Sequence, residues 1–554
     1  MIDLKKGIKS VGFKGDIKDD EDTLNFYSHD ASLFEIIPKV IVYPKDAKDV
    51  ELLVKFVRDH KKEDPSLSLT ARSAGTDMVG GAINDSIIVD FSKYLNKILR
   101  AEASFAITQP GVFYRNFEKE TFKHHALMPT FPASRDLATV GGMAANNSGG
   151  EKSLEFGKTK DFINYLKVIL ADGKEYLVKP IKGQELRSKL AQKDFEGQVY
   201  KQVYDLCEKH YDDIKAAKPS VSKNSMGYTL WEVWDRQTGI FDLTKLFVGS
   251  EGTLGMITEI NYRLVPKKDH SGLLVLFLKD IDDLGELIPL ILKHKPATFE
   301  SFDDQTLWLS IRFMPSFLKL LGLKRFLNLI ISLIPDGLQL LRGIPKLILM
   351  VEFNGDTEEE VRQKIAQLHK ETKIKRARYE INGFEEDPTE SSGEKFWVMR
   401  RQSFNLLRSK VKDKHTAPFI DDLIVEPKYL VDFLPKLRKI IMKYELFATI
   451  AGHMGDGNFH IIPLMKLEDK KDRAKLLPAM KEVDELVLRY NGSLSAEHND
   501  GLIRGPWLKE QFGKQILELF KEIKRIFDED NIFNPHKKAD ANWDYSFSHI
   551  REKF

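Results

Sequence analysis

Thr139-Val-Gly-Gly-Met-Ala-Ala-Asn-Asn-Ser-Gly-Gly150 sets paired glycines at both ends of a short apolar run, and its reading decides the fold. It lies in a loop-rich stretch from Met128 to Gly157, preceded by Pro132-Ala-Ser134 and closed by Phe156-Gly157. Two further glycine loops flank it. Arg72-Ser-Ala-Gly-Thr-Asp-Met-Val-Gly-Gly81 stands between the strand-like runs Leu67–Ala71 and Ser86–Phe91, and Val248-Gly-Ser-Glu-Gly-Thr-Leu-Gly-Met-Ile257 follows later. Glycine lets backbone N–H groups approach a phosphate with no Cβ in the way, so several such loops can wrap an elongated anionic ligand. Taken singly, each is more often a plain turn; the ordered set carries the weight. Gly75 and Gly80 have GxxxxG spacing, but Gly81-Ala82 follow where a nucleoside-triphosphate loop needs Lys and Ser/Thr. No GxGxxG follows a strand, which removes the Rossmann fingerprint.

Outward from these loops, Lys39-Val-Ile-Val-Tyr-Pro44 reads as a buried strand, and Asp46 caps a helix with Val50, Leu53, Phe56 and Val57 on one face. Tyr165–Leu170 is a strand ended by the turn Ala171-Asp-Gly173. After Pro266 the glycine loops thin out and longer helical stretches, Thr357–Thr372 and Asp472–Tyr490, take over. The predicted organisation is therefore a first domain over 1–265, a second over 266–535 and a tail over 536–554. Within the second, 313–353 is an apolar, cation-bearing insertion. It reads as a helical hairpin packed on that domain, or as a patch resting on an anionic membrane surface.

The 554 residues exceed a single core, which implies a multidomain protein. Lys+Arg 85 against Asp+Glu 83 leaves a formal charge of +2, with no long block of like charges, so nucleic-acid binding is not expected. The single cysteine, Cys207, excludes an intramolecular disulfide, a Cys-ligated iron–sulfur cluster and a Cys-rich zinc module within these residues. The N-terminus lacks the apolar core of an export signal, and the longest apolar stretch, Phe317–Phe353, is interrupted by charges. A cytoplasmic protein is predicted, with peripheral contact on the inner face of the membrane through 313–353 as a further expectation.

Near the C-terminus, His453-Met-Gly-Asp-Gly-Asn-Phe-His460 places two imidazoles across a Gly-Asp-Gly turn, and Ser495-Ala-Glu-His498 adds a carboxylate and a third imidazole. These are metal-ligand residue types. If the two segments are neighbouring strands or strand ends, His453, His460 and Glu497 converge as a His₂-carboxylate set with open positions. Any one histidine alone is more often a satisfied core or surface residue.

The glycine loops and the histidine motifs, in this order over roughly residues 30 to 540, resemble the FAD-linked oxidase family of the vanillyl-alcohol-oxidase/PCMH fold, in its D-lactate dehydrogenase and glycolate oxidase branch. The resemblance implies an α+β protein: a PCMH-type FAD-binding domain of two subdomains, and an α/β substrate (cap) domain with an antiparallel sheet. It implies that Ser73, Ala74, Gly75, Thr76, Asp77, Met78 and Val79 embrace the pyrophosphate of FAD. Pro132, Ala133, Ser134, Thr139, Gly141 and Gly142 would line the isoalloxazine; Asn146, Ser148 and Gly149 would continue the cradle. Ile257 and the strand after Gly255 would close the adenine side, and Glu251 and Gly252 would also bind the cofactor. Covalently flavinylated relatives carry a histidine in the first loop where this chain has Thr76, so non-covalent FAD is expected, although His124-His125 lie nearby.

By the same resemblance His453, His460 and Glu497 bind a divalent metal (Zn, Mn or Fe), and His498 is the base. Arg400, in Phe396-Trp-Val-Met-Arg-Arg401, matches a Trp-x-x-Arg motif whose arginine grips the substrate carboxylate, a task suited to a guanidinium fork. Arg401 is the fallback and Arg504 a weaker candidate. The predicted reaction is oxidation of a small D-2-hydroxy acid, D-lactate to pyruvate in the first instance, by metal-assisted proton abstraction and hydride transfer to flavin N5. Ile462 stands where 2-hydroxyglutarate dehydrogenases tend to carry asparagine, and no lysine stands clearly near Phe419-Ile-Asp-Asp422 to meet a second carboxylate. Both tilt the reading toward a monocarboxylate. The appended iron–sulfur domain of longer relatives does not follow Phe554, so a quinone, a cytochrome or an electron-transfer protein is the expected acceptor. The competing readings are glycolate or D-2-hydroxyglutarate as substrate, an ether-lipid synthase-like FAD enzyme, and a non-catalytic flavin-binding subunit.

Overall fold

The computed structural model describes residues 2–312, 344–374, 377–383, 396, 397, 399, 400 and 414–552. The expectations for 313–343 and for Arg401 lie outside these residues.

The two larger sheets of the first lobe mark the two subdomains expected. In one, β1 (Asp16–Lys18), β2 (Val40–Tyr43), β3 (Leu69–Arg72) and β4 (Ile87–Asp90) run in the order β1-β2-β4-β3, with β2, β4 and β3 mutually parallel. Parallel neighbours need a covering crossover, and α1 (Ala47–His60) supplies it. Its cap is Asp46, whose side chain accepts the Asp49 N–H at 3.0 Å, and its buried face carries Val50, Leu53, Phe56 and Val57. The second sheet is antiparallel: β5 (Ile98–Ala101), β6 (Phe105–Thr108), β7 (Ile163–Ile169), β8 (Glu175–Val178) and β9 (Met256–Arg263), in the order β5-β6-β9-β7-β8.

The stretch read as loops between Met128 and Gly157 contains α2 (Val140–Asn146). Thr139 caps it, accepting the Gly142 N–H at 3.2 Å, and Asn147 ends it in the left-handed region at φ 51°. Two glycines in its first turn lower helix propensity, yet a Cβ on Gly141 would lie 2.4 Å from Cβ of Pro110, so close packing overrides propensity there.

The second lobe is built on one antiparallel sheet: β10 (His270–Leu278), β11 (Thr298–Asp303), β12 (Leu347–Gly355), β13 (Ala377–Gly383), β14 (His415–Thr416), β15 (Leu423–Ile424), β16 (Phe447–His453) and β17 (Asn458–Met465). The order is β13-β10-β12-β11-β16-β17-β14, and β15 also pairs with β17. Residues 347–353, read from sequence as the end of the apolar insertion, are part of β12. Paired on both edges and buried on both faces for most of its length, that strand loses the alternation that marks a half-exposed one. Helices α3 (Leu430–Lys443) and α4 (Lys470–Arg489) belong to this lobe.

After α5 (Leu508–Phe527) the chain returns to the first lobe. Leu69 donates its N–H to the Ile532 carbonyl at 2.7 Å, Asn534 donates to that of Leu69 at 2.9 Å, and Ile532 and Phe533 are buried among Val40, Val42, Leu53 and Val89. Among the described residues no helix is long and apolar enough to cross a membrane.

Candidate active site

The first lobe's loops are braced chiefly by backbone groups and short polar side chains. Asp77 accepts the Gly81 N–H at 2.6 Å and the Asn146 side-chain amide at 3.1 Å, tying the first loop to α2. The Ser73 and Thr139 hydroxyls are 2.6 Å apart. The third loop docks on the same helix through Gly249 N–H to Ala144 O (2.9 Å) and Glu251 N–H to Ala145 O (3.0 Å). Asn534, outside the predicted set, donates to the carbonyls of Gly81 (2.8 Å) and Glu251 (2.7 Å), clasping first and third loops together. Ser73 to Met78 are half-buried, as are Pro132 and Ser134; Ala133 is exposed, and Val79, Ser148, Gly149 and Gly252 are buried. Ile257 lies in β9 opposite Val168, farther along the chain from these contacts. Burial pushes the Glu251 carboxyl up to about 8 against the pull of Lys538, and its oxygens accept the Gly501 N–H.

In the second lobe the turn Met454–Gly457 joins β16 to β17 and pairs Ala451 with His460. Residues 451 and 453 share a sheet face and cross-strand partners share it too, so His453 and His460 face the same way. Their rings lie 5.3 Å apart and nearly perpendicular. Gly457 makes the turn at φ 76°, and a Cβ there would meet the Val425 carbonyl at 1.9 Å. His498 stacks on His460 at 5.0 Å. Glu497 Oε2 is 3.3 Å from His453 Nε2 and 4.0 Å from His460 Nε2.

A second set of carboxylates aims these groups. Asp421 takes the Nδ1 sides of both His460 (3.3 Å) and His498 (2.9 Å), leaving each Nε2 for the cluster. Glu300, from β11, meets Nδ1 of His453 with one oxygen and Nε of Arg400 (2.9 Å) with the other. Asp422 accepts the N–H groups of Glu497 (2.8 Å) and His498 (2.7 Å) and the Ser495 hydroxyl on one oxygen, and the Asn458 amide on the other. Burial works against the imidazolium of His498, but Asp422 and Asp421 outweigh it and push its pKa up to about 9; Glu300 and Glu497 do the same for His453, also to about 9. Burial lowers His460. Although burial alone would raise it, Glu497 is held well below the usual carboxylate range by His453 and Lys223.

Ligand atoms of Asp422, His460, Glu497 and His498 all lie within 4.8 Å of one another, a spacing compatible with one shared ion. Asp422 is already engaged through both oxygens, which makes it a brace for the 495–498 turn rather than a free donor. His453, beside Glu497, offers the softer donor, so the predicted trio fits a divalent cation by donor type.

The lobes meet here. A Cβ on Gly149, in the second glycine loop, would lie 2.8 Å from Glu497 Oε1. Asn499 donates to the carbonyls of Asn146 (3.3 Å) and Gly249 (2.9 Å). Arg504 spends its guanidinium on the Asp421 and Asn499 carbonyls. Two fully buried lysines that sequence reading missed enter from the first lobe. Lys223 Nζ is 2.7 Å from Glu497 and 3.1 Å from Asp456; Lys158 Nζ donates to the Ala496 carbonyl and the Ser225 hydroxyl, and burial pushes it down to about 7. Their only sequence signal was a lysine in loops of no periodicity, between 67 and 338 residues from its partners. Asp421 and Glu300 were equally silent, one inside Phe419-Ile-Asp-Asp422 and the other on a buried strand.

Comparison with known proteins follows the same division. Residues 38–178 match the FAD binding domain, and residues 267–538 match the FAD linked oxidases, C-terminal domain. D-2-hydroxyglutarate dehydrogenase of Pseudomonas putida is 27% identical over 540 residues, 96% of this chain and 51% of that protein. This chain thus spans about half the length of the first curated relatives it matches. Glycolate oxidase subunit GlcD of Bacillus subtilis is 24% identical, covering 97% of this chain and 96% of its own, and D-lactate dehydrogenase of Archaeoglobus fulgidus is 24% identical, covering 90% of each. Among solved structures, alkyldihydroxyacetonephosphate synthase superposes with a TM-score of 0.66 at 16% identity, over 97% of this chain and 86% of that one. Substrate-bound p-cresol methylhydroxylase gives 0.64 at 16% identity, over 97% and 96%. The chain belongs to the FAD-linked oxidase family and has its PCMH-type fold, an FAD-binding domain followed by the oxidase C-terminal domain.

Proposed function

We propose that this protein is an FAD-dependent dehydrogenase of a small D-2-hydroxy acid, with His453, His460 and Glu497 as ligands of a divalent metal. The observation that carries the reading is the approach of Gly149, in the glycine loops, to Glu497, in a cluster of three histidines. When bound, FAD supplies an acceptor for two electrons and the cation supplies Lewis acidity. The side chains do the rest. Arg400 holds the substrate carboxylate, itself oriented by Glu300. His498 removes the C2 hydroxyl proton at Nε2, its Nδ1 fixed on Asp421. A cation nearby opposes the imidazolium of His498 and so favours the neutral, basic form.

D-lactate is the preferred substrate in this reading. Lys223 and Lys158 reach the cluster but are spent on Glu497, Asp456 and the Ala496 carbonyl, which leaves neither to meet a second carboxylate. D-2-hydroxyglutarate is the second reading, favoured by the names of several relatives. Anaerobic bleaching of the flavin by a panel of D- and L-2-hydroxy acids, before and after chelation, tests both. Bleaching by D-lactate that chelation abolishes is expected; bleaching by none of the panel would sink the proposal.

A further inference from the structure

The segment Ser222–Gly227 of the first lobe is stitched along Ser493–Asp500 of the second. The Ser225 N–H donates to the Ser495 carbonyl (3.0 Å), the Ser225 hydroxyl to that of Ala496 (3.1 Å), the Ser493 hydroxyl to Asn224 Oδ1 (2.7 Å), and the Gly227 N–H to Asp500 (2.8 Å). In the middle of this seam Lys223, with 1% of its side chain exposed, puts Nζ 2.7 Å from Oε1 of Glu497 and 3.1 Å from Asp456. Asp456 is held in turn by the Ser222 hydroxyl at 2.8 Å. Glu497 is therefore divided: Oε1 is turned to the lysine of one lobe and Oε2 to His453 and His460 of the other.

A carboxylate so divided has one oxygen left for an ion. The ammonium group beside it cancels part of its charge, and because both groups are buried solvent screens the effect little. We propose that Lys223 is a positioning residue that holds Glu497 to one-oxygen coordination and weakens the site's grip on a divalent cation, keeping that cation electron-poor. The role rests on the metal assignment made above for His453, His460 and Glu497. Asp456 sets the strength of the effect, because it shares the same ammonium and offsets its charge.

The two partners of Lys223 make the idea separable from simple damage to the seam. In Lys223→Met, Glu497 regains both oxygens and its full charge, so Zn²⁺ should bind at least tenfold more tightly. In Asp456→Asn the lysine is left wholly to Glu497, so Zn²⁺ should bind at least threefold more weakly. The measurement is competition for Zn²⁺ between full-length, FAD-loaded protein and a chromogenic chelator at fixed pH, with flavin content checked in each variant. Tighter binding in Lys223→Met with weaker binding in Asp456→Asn supports the proposal, and tightening in both or the reverse pattern overturns it. Equal affinities, or weakening in both variants as disruption of packing would give, overturn it. If Lys223→Met fails to fold, Lys223→Gln takes its place: tighter binding supports the proposal, and unchanged or weaker binding overturns it. Wild-type protein that takes up no Zn²⁺ overturns the metal assignment itself and this role with it, whereas wild-type uptake with equal affinities removes only the role of Lys223.

Discussion

The two halves of the candidate site are made of different material. In the first lobe the cradle is backbone: glycine loops braced by carbonyls, amides and a few short side chains such as Asp77 and Thr139. In the second the cluster is side chain, with imidazoles and a carboxylate whose free atoms are aimed by Asp421, Glu300 and Asp422. A backbone cradle should fail when a Cβ intrudes and tolerate the loss of a hydroxyl. A side-chain cluster should fail when a charge or a donor is removed.

The sharpest test of that contrast is Glu497→Ala. Loss of this proposed metal ligand should remove several kcal/mol of stabilisation and cut turnover on the order of a thousandfold, measured by anaerobic flavin reduction, while flavin absorbance of the purified protein is retained. Loss of flavin together with activity would erase the distinction between the halves. Gly150→Ala is the mirror experiment: the added Cβ would lie 2.1 Å from the Phe131 carbonyl, a backbone atom. The strain of overpacking, about 1–3 kcal/mol, should weaken FAD binding roughly 10- to 100-fold in a fluorescence titration, leaving Zn²⁺ uptake intact.

Asp421→Asn probes the outer layer of the cluster and should lower metal affinity about 10- to 100-fold, read by chelator competition. It also has a pH signature. In metal-free protein His498 is raised to about 9 from an ordinary value near 6.5 by Asp422 and Asp421 together, so its pairing with them stabilises the fold fully below 6.5 and is lost as pH rises through about 9. Melting temperatures of the metal-free wild type should therefore fall over that window, and those of Asp421→Asn should fall less. The smallest effect belongs to the cradle. Thr139→Ala removes neutral hydrogen bonds worth about 0.5–1.5 kcal/mol, so FAD affinity should drop by no more than about tenfold. A larger loss would mean that the cradle depends on its side chains as the cluster does.

Legibility followed the same division. The β2–α1 unit was readable because its short apolar run ended by Pro44, its Asp46 cap and its apolar stripe are local, and the glycine loops were readable because their residue type and order repeat a family pattern. Helix α2 escaped notice because glycine disguises a helix whose small residues are demanded by contact with Pro110. Strand β12 was merged into a greasy insertion because a strand buried on both faces has no period to read. In the cluster, His453, His460, Glu497 and His498 announced themselves as donor types at short spacing. Glu300, Asp421 and Lys223 are ordinary charged residues until the sheet and the seam bring them to these donors.

By itself, then, the chain of residues determined which groups can do chemistry and which loops can admit a phosphate, because both depend on residue type and near spacing. Only the tertiary structure decided which charges stand beside those groups. Burial makes a charge's neighbours decisive, and the neighbours of Glu497 come from Lys223, 274 residues away, and from the far arm of a hairpin.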